Sequence, residues 1–167
     1  DPFKNYYKED IYVGYRYFET FARDKVLYPF GYGLSYTTFE MKAEVLKNTG
    51  DEITVSATVA NTGELKGKEV VQVYVKVPQG KLGNPARKLI GFAKTGELNP
   101  GEKEEVVIVV PKYDMASYDD SGVTGHKSCY VLEEGIYEIF VGSDVRSAVS
   151  VGCYEEEFRV IEELEEA

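Results

Sequence analysis

The chain has 167 residues, 43% of them hydrophobic, which suffices for one modest globular domain with a short extension. Its formal net charge of −10 argues against nucleic acid, which requires a basic patch, and against anionic membranes for the same reason. The sequence has no signal-peptide pattern and no apolar run of about 18 residues, so we expect a soluble chain and favour the cytoplasm as its compartment.

The first 36 residues are rich in aromatic side chains. Apolar and polar residues alternate from Ile11 to Phe18, which predicts an edge strand. Residues 28–39, YPFGYGLSYTTF, carry more aromatic surface than a free linker needs, and Gly31 and Gly33 allow the backbone to approach another surface closely. We therefore expect residues 1–36 to form an extended arm that lies against a partner surface.

From Thr37 onward, short strands alternate with turn signals, the pattern of an all-β sandwich. Residues 53–59 and 71–77 each alternate apolar and polar side chains, so each strand is expected to have a single buried face. Residues 89–92 predict a short strand, and residues 99–102, Asn-Pro-Gly-Glu, predict a tight turn.

The second half of the chain is less regular in its pattern. Residues 106–110 are all apolar, which indicates either a shifted face or a strand covered on both sides, with the arm as one candidate cover. Tyr137, Ile139 and Val141 share one face of a strand, and a last strand is expected over residues 149–160. The tail, residues 161–167, is mostly glutamate; we expect at most one or two helical turns there, and a solvated surface at residues 155–157 and 162–166.

The two cysteines, Cys129 and Cys153, allow at most one disulfide, and two buried thiols in a reducing compartment are equally compatible with the sequence. Zinc requires four ligands at close spacing, whereas His126 is the only histidine and lies in a polar segment. We predict no metal and no cofactor.

Seven sequence blocks resemble one known family, glycoside hydrolase family 3, the β-glucosidase and β-xylosidase group. The Gly-Tyr-Arg block at residues 14–16 and the run at 28–39 are similar to the junction between that family's α/β sandwich domain and its C-terminal fibronectin type III-like domain. The blocks NTG, GKEVVQVYV, KLIGF, LNPGE and GIYEIFVGS are similar to successive signatures of the latter domain; they lie at residues 61–63, 67–75, 88–92, 98–102 and 135–143.

This resemblance implies an immunoglobulin-like, fibronectin type III-like β-sandwich over residues 37–160. Residues 1–36 would be an arm or linker from the end of the preceding α/β domain, and residues 161–167 an acidic tail. The residues expected to pack between domains are Tyr15, Arg16, Tyr17, Tyr28, Phe30, Tyr32 and Tyr36.

The resemblance also implies a non-catalytic accessory domain that braces the catalytic domains of its parent, its expected partners. In the family, the two catalytic carboxylates lie on other domains, in motifs that this sequence lacks, so no catalytic residue is predicted here. The parent is expected to be a retaining glycoside hydrolase that releases terminal β-linked glucose or xylose without a metal.

The loop over residues 114–127 is the least regular part of the predicted sandwich. Its abundance of Gly and Asp fits a solvated excursion between strands. Because some family members extend an accessory-domain loop toward the catalytic pocket, an active-site-facing loop is the second interpretation, and its candidate residues are Tyr118, Asp119, Asp120 and His126.

Two other functions stay open. The 14 tyrosines and 8 phenylalanines could stack on sugar rings in a carbohydrate-binding module, although the chain has no tryptophan. Alternatively, the aromatic arm could mediate dimerisation, giving a homodimer of this chain.

Overall fold

The computed structural model describes residues 4, 5 and 7–165. Within them, the regular structure consists of ten strands, one short α-helix and two 3₁₀ helices, Arg23–Lys25 and Lys112–Met115. The helix is α1 (Tyr15–Phe21). The strands are β1 (Phe39–Asn48), β2 (Glu52–Asn61), β3 (Val70–Lys76), β4 (Lys88–Lys94), β5 (Lys103–Pro111), β6 (Ser117–Asp119), β7 (Cys129–Leu132), β8 (Gly135–Gly142), β9 (Val149–Glu156) and β10 (Arg159–Glu163). Residues 1–3 and 6 of the predicted arm and residues 166–167 of the predicted tail lie outside the described residues.

The strands form two main antiparallel sheets and one small one. The first sheet has the order β1-β2-β5, the second β4-β3-β8-β9, and the small sheet β10-β7-β6. The two main sheets face each other across the core, which confirms the predicted fibronectin type III-like sandwich.

The core consists mainly of β-branched side chains from the inner faces of both sheets. The alternation predicted for β2 is confirmed, because Ile53, Val55, Ala57 and Val59 are all fully buried. They meet the inner faces of β3 and β8, including Val73 and Ile139, in one continuous cluster. Burial of each such side chain stabilises the fold by about 1.5–3 kcal/mol, so this cluster is the main source of stability.

The prediction that β3 has a single buried face is wrong. Val71, Val73 and Val75 point into the core as expected, but Tyr74 on the opposite face is also fully buried. It lies in a second cluster with Phe140 from β8, and Tyr15 from the arm packs against that cluster. The arm therefore covers the outer face of the second sheet.

The apolar run at residues 106–110 has the shifted-face arrangement. Val106, Ile108 and Val110 on β5 are buried, whereas Val107 and Val109 are 53% and 54% exposed. The arm does not cover this strand, because it lies against β3 and β8 on the other sheet.

The edge strand predicted from Ile11 to Phe18 is wrong, since residues 15–21 form α1. Within the described residues, no strand of the sandwich pairs with this segment, so its backbone hydrogen bonds are made locally. The helix also places Tyr15 and Glu19, four residues apart, on the side that contacts the sandwich.

The end of the chain also differs from the prediction. Two strands replace the single strand expected over residues 149–160, because β9 pairs with β8 whereas β10 pairs with β7. The expected helical turns are absent from residues 161–163, which belong to β10. The open edge of β7 offers this segment backbone partners that an isolated glutamate-rich helix could not replace.

Three smaller expectations can be compared with the structure. The turn at residues 99–102 is confirmed by the Glu102 N to Asn99 O hydrogen bond of 3.0 Å and by Gly101 at φ 80°. Both cysteines are free thiols, Cys129 buried and Cys153 exposed. Over the part of the chain that the structure describes, helices are too short or too polar to cross a bilayer.

Candidate functional site

The arm is anchored to the sandwich by Tyr15 and Phe30. Their rings stack with centroids 4.3 Å apart, and the Tyr15 ring meets the Tyr74 ring edge-on at 6.4 Å. The Tyr15 hydroxyl accepts a hydrogen bond of 2.8 Å from the backbone N–H of Leu89. Burial raises the pKa of Tyr74, whose hydroxyl donates to Gln72 Oε1 at 2.5 Å, so this contact stays neutral.

A second set of contacts ties the arm to the loop between β8 and β9. The backbone N–H of Val145 donates to Phe30 O at 3.0 Å, and Arg146 donates to Glu19 Oε1 and to Arg23 O, both at 2.8 Å. The Glu19 side chain is only 5% exposed, so this ion pair is largely shielded from water. Together the two sets of contacts hold the arm rigidly on the second sheet.

Gly31 is required for this close approach. Its φ of 86° lies in the region that favours glycine, and a Cβ at this position would lie 2.6 Å from the Gln72 side chain. Gly31 therefore lets the backbone approach another surface closely, as predicted, and the surface is the Gln72 side chain of β3.

The other side of the arm is an exposed apolar surface, which we call the arm surface. It consists of Leu27, Tyr28, Tyr32, Leu34 and Tyr36. Leu27, Leu34 and Tyr36 are 90%, 90% and 94% exposed, compared with 69% for Phe92 on the sandwich. Water-exposed apolar surface of this extent is characteristic of an interaction site.

The residues predicted to pack between domains fall into four groups. Tyr15 and Phe30 contact the chain's own sandwich, whereas Tyr28, Tyr32 and Tyr36 belong to the arm surface. Tyr17 packs against Phe18 and Phe21 on α1. Arg16 lines a cavity next to the 114–127 loop.

The 114–127 loop is organised around the carboxylate of Asp119. This side chain is 0% exposed, and its two oxygens accept hydrogen bonds from the backbone N–H groups of residues 121–124 and from the hydroxyls of Ser121 and Thr124, at 2.6–3.1 Å. Burial alone would raise the pKa of Asp119, but the hydrogen bonds from Thr124, Gly122 and Ser121 outweigh it and hold the pKa well below its usual range. The Asp119 carboxylate is therefore ionised, and both of its oxygens accept hydrogen bonds from within the loop.

The four candidate residues of this loop do not converge on one site. Tyr118 and Asp120 line the same cavity, which has a volume of 430 Å³ and also includes Arg16. His126 lies elsewhere and stacks on Phe158 with ring centroids 5.4 Å apart. That the loop faces an active site stays a prediction. Of its four candidate residues, only Tyr118 and Asp120 line the same cavity.

Three tyrosines form a row beside this loop. The Tyr130 ring lies between the rings of Tyr113 and Tyr118, with centroid distances of 5.1 and 5.0 Å. The row runs along two neighbouring cavities of 380 and 430 Å³, which share Lys88, Ala116 and Tyr130 in their walls. We call the row and the two cavities together the tyrosine groove.

Sequence reasoning missed Tyr113, Tyr130 and Lys88 as site residues. Tyr118 and Tyr130 are brought together by the pairing of β6 with β7, and Tyr113 joins them from the turn that follows β5. The spacing of these residues along the chain carries no signal for this contact, because the contact depends on long-range strand pairing.

The acidic run at residues 155–157 is not entirely solvated surface, contrary to the prediction. Glu156 forms a largely buried ion pair with Lys112, whose ammonium also lies 4.9 Å from the centroid of the Tyr154 ring. Removing one partner of such a pair would leave an uncompensated buried charge. Glu156 therefore has a structural role.

Residues 69–145 match the family described as the Fibronectin type III-like domain. Over 162 residues, or 96% of its length, the chain is 53% identical to a β-glucosidase from Ruminococcus albus, but it spans only 17% of that protein. Over 157 residues it is 52% identical to β-glucosidase A from Butyrivibrio fibrisolvens, of which it spans 19%.

Solved structures show the same relationship. A β-glucosidase from Paenibacillus barengoltzii superposes on 98% of this chain with a TM-score of 0.92 and 52% identity, and the match covers 19% of that protein. β-Glucosidase 3B from Thermotoga neapolitana, solved in complex with glucose, superposes on 92% of the chain with a TM-score of 0.81 and 45% identity, over 21% of its length. The aligned part includes nearly all of the arm and the sandwich together.

Proposed function

We propose, from the premise that the chain belongs to the fibronectin type III-like domains of glycoside hydrolase family 3, that it is a non-catalytic accessory domain which braces the catalytic domains of a β-glucosidase. The observation that carries this proposal is the arm surface, whose leucines and tyrosines are exposed although they are apolar. Exposure of apolar side chains to water is unfavourable, so a cluster of them on a folded domain favours a partner that covers it.

The way the arm is attached supports a bracing function. One side of the arm is fixed to β3, β8 and the loop after β8 by stacking, hydrogen bonds and a shielded ion pair. The other side presents the arm surface. A neighbouring domain that packed on this surface would therefore be held rigidly to the sandwich.

The size of the relatives supports the existence of such a neighbour. The chain spans 17% of the Ruminococcus albus β-glucosidase, so most of that protein lies outside the matched part. We propose that the corresponding parent of this chain hydrolyses β-glucosides with two carboxylates on its other domains, by the retaining mechanism. The isolated chain would then be inactive.

The structure limits what the 114–127 loop could lend to such an active site. Tyr118 and Asp120 are exposed at the rim of the tyrosine groove, whereas the Asp119 carboxylate is fully occupied by hydrogen bonds within the loop. If the loop contacts substrate, we propose that it does so through Tyr118 and Asp120, with Asp119 holding the loop in shape.

A chimeric enzyme tests the bracing function. The matching segment of the Ruminococcus albus β-glucosidase would be replaced by this chain, and hydrolysis of an aryl β-glucoside and the melting temperature would be measured. The double substitution Leu27→Asp with Tyr36→Asp should lower both quantities in the chimera, because it would place charges in an apolar interface. The same substitutions should leave the unfolding of the isolated chain almost unchanged, since both side chains are exposed there.

Leu65→Asp is the matched control, because Leu65 is 55% exposed and lies in a bend of the sandwich outside the arm. It should leave the chimera's activity and melting temperature unchanged. An active chimera that tolerated the arm substitutions as well as it tolerates Leu65→Asp would contradict the bracing function. Hydrolysis by the isolated chain would contradict its assignment as non-catalytic.

A further inference from the structure

The tyrosine groove shares no residue with the arm surface. Its two cavities, of 380 and 430 Å³, are individually within the size range of small-molecule sites, and they continue into each other past Lys88, Ala116 and Tyr130. The groove is therefore elongated and open, a shape suited to a chain-like ligand.

The aromatic side chains of the groove are accessible to a ligand. Tyr113 and Tyr118 are each 42% exposed, and Tyr130 between them is half-buried. The three rings follow one another at 5.1 and 5.0 Å, a spacing comparable to the length of one pyranose unit. Because the face of a pyranose ring with equatorial substituents is flat and apolar, it can stack on such rings.

Polar groups stand beside the rings and have capacity for further hydrogen bonds. Lys88 Nζ donates to Ala116 O at 3.1 Å, which leaves two of its three N–H donors. Among the residues that the structure describes, Arg16 has no hydrogen-bond or ion-pair partner for its guanidinium group. The Asp120 carboxylate is exposed on the same wall and can accept hydrogen bonds from hydroxyl groups.

The charges that line the groove balance. Arg16, Lys81 and Lys88 are opposed by three acidic residues, Asp10, Asp114 and Asp120. A groove of this composition has no net preference for an anion or a cation. Its alternating donors and acceptors instead match a neutral ligand with many hydroxyl groups.

We propose that the tyrosine groove binds an extended oligosaccharide of equatorially linked pyranoses, such as a β-1,4-glucan. Successive sugar rings stack along Tyr113, Tyr130 and Tyr118, while Arg16, Lys88 and Asp120 hydrogen-bond to the hydroxyls at the ring edges. Neighbouring rings are tilted by 45° and 48°, so each ring offers its own face to a sugar unit. Equatorial linkages keep successive pyranose units extended along such a row, whereas an α-linked glucan coils away from it. This site is independent of the bracing function, which rests on the arm surface.

The test is an NMR titration of the isotopically labelled chain with cellotetraose up to millimolar concentration. Saturable shifts of backbone amides should be confined to residues 88–92 and 113–130 and to the neighbourhood of Arg16. Tyr118→Ala should weaken binding at least about tenfold, within the range known for loss of one stacking contact. Tyr118→Phe should retain binding, because the ring remains.

Tyr36→Ala is the matched control, since it removes an equally aromatic but more exposed side chain on the arm surface. It should leave the affinity unchanged, and an unaltered amide spectrum away from the site would show that each variant is folded. Maltotetraose should bind more weakly than cellotetraose.

Three outcomes would overturn the proposal. One is the absence of any saturable shift with cellotetraose, and another is shifts confined to the arm surface. The third is a response at Arg16 and Lys88 to inorganic phosphate without a response to the sugar, which would identify an anion site instead.

Discussion

Apolar side chains are buried inside the sandwich, whereas many of those on the arm are exposed to water. In the sandwich, the inner faces of β2, β3 and β8 are buried against one another, so that Val55, Val73 and Ile139 are fully inaccessible to water. In the arm, Tyr15, Phe30 and Glu19 are among the residues that contact the sandwich, while Leu34 and Tyr36 remain almost completely exposed.

The two regions therefore differ in how much of their apolar surface the chain itself buries. The sandwich completes its own core, and its stability follows from the chain alone. The arm contributes a single covering layer to the second sheet and directs its remaining apolar surface away from the chain. The following predictions test this division, beginning with the largest expected effect.

Truncation of a core side chain should be far more damaging than truncation of an arm side chain. Ile139→Ala should lower the free energy of unfolding by about 4 kcal/mol, because it leaves a cavity between the two sheets. Tyr36→Ala should change it by less than about 0.5 kcal/mol, because the side chain is 94% exposed and buries little apolar surface. Denaturant-induced unfolding of both variants measures the contrast, which would disappear if Tyr36→Ala were equally destabilising.

Asp119→Asn should be the most damaging substitution in the 114–127 loop, lowering the free energy of unfolding at pH 7 by about 3 kcal/mol, since an amide cannot accept all of the hydrogen bonds that the carboxylate accepts. The folded-state pKa of Asp119 is depressed, so its stabilising contribution is present above the unfolded pKa of about 4 and is lost as the pH falls further.

The difference in stability between the wild-type chain and Asp119→Asn should accordingly shrink as the pH falls below about 4. Unfolding curves at several pH values measure this dependence. Asp120→Asn is the control, because the Asp120 side chain is exposed. A difference that did not change with pH would show that Asp119 is not the ionised centre of the loop.

The hydrogen bond between the arm and the sandwich should contribute less to the free energy of unfolding than the Ile139 side chain or the Asp119 carboxylate does. Tyr15→Phe keeps the stacking on Phe30 but removes the acceptor for the Leu89 N–H, so it should cost about 1 kcal/mol. Tyr17→Phe, which alters an exposed tyrosine on the same helix, should have no effect. Equal stabilities of the two variants would mean that the hydroxyl of Tyr15 does not help to hold the arm.

The smallest effect on folding is expected for charges placed on the arm surface. Leu27→Asp with Leu34→Asp should leave the free energy of unfolding unchanged, because both side chains are 90% exposed. The wild-type chain should associate through this surface as its concentration rises, and the double variant should remain monomeric. Light scattering at several concentrations measures this, and a wild-type chain that stayed monomeric throughout would rule out the predicted homodimer.

The sequence allowed the inner strands to be predicted well. In β2, Ile53, Val55, Ala57 and Val59 lie on the predicted buried face. In β8, Tyr137, Ile139 and Val141 do so too, although Phe140 on the other face is also buried. The turn at residues 99–102 was equally accessible, since proline and glycine restrict the backbone locally.

The local sequence pattern did not predict burial correctly where a distant segment of the chain covers a strand. The mixed pattern of β3 suggested one exposed face, but the arm buries Tyr74. The continuous apolar run of β5 left two arrangements open, and only the structure shows that Val107 and Val109 are exposed. The alternation before Phe18 likewise resembled a strand, although a strand needs a neighbour to complete its hydrogen bonds and this segment has none among the described residues.

The candidate sites show the same limit. The sequence identified the aromatic arm and, within the 114–127 loop, Tyr118 and Asp120, because unusual composition is visible without a structure. It did not identify Tyr113 and Tyr130, which join Tyr118 only when β6 pairs with β7.

The sequence by itself therefore determined the all-β sandwich, its principal buried faces and the aromatic character of the arm, since these depend on periodicity and composition along the chain. Only the tertiary structure decided which sheet the arm covers and which tyrosines form a groove. It also decided which carboxylate, that of Asp119, is buried and hydrogen-bonded inside a loop. Each of these depends on contacts between residues far apart in sequence, and the physical reason is that burial and hydrogen bonding are set by neighbours in space.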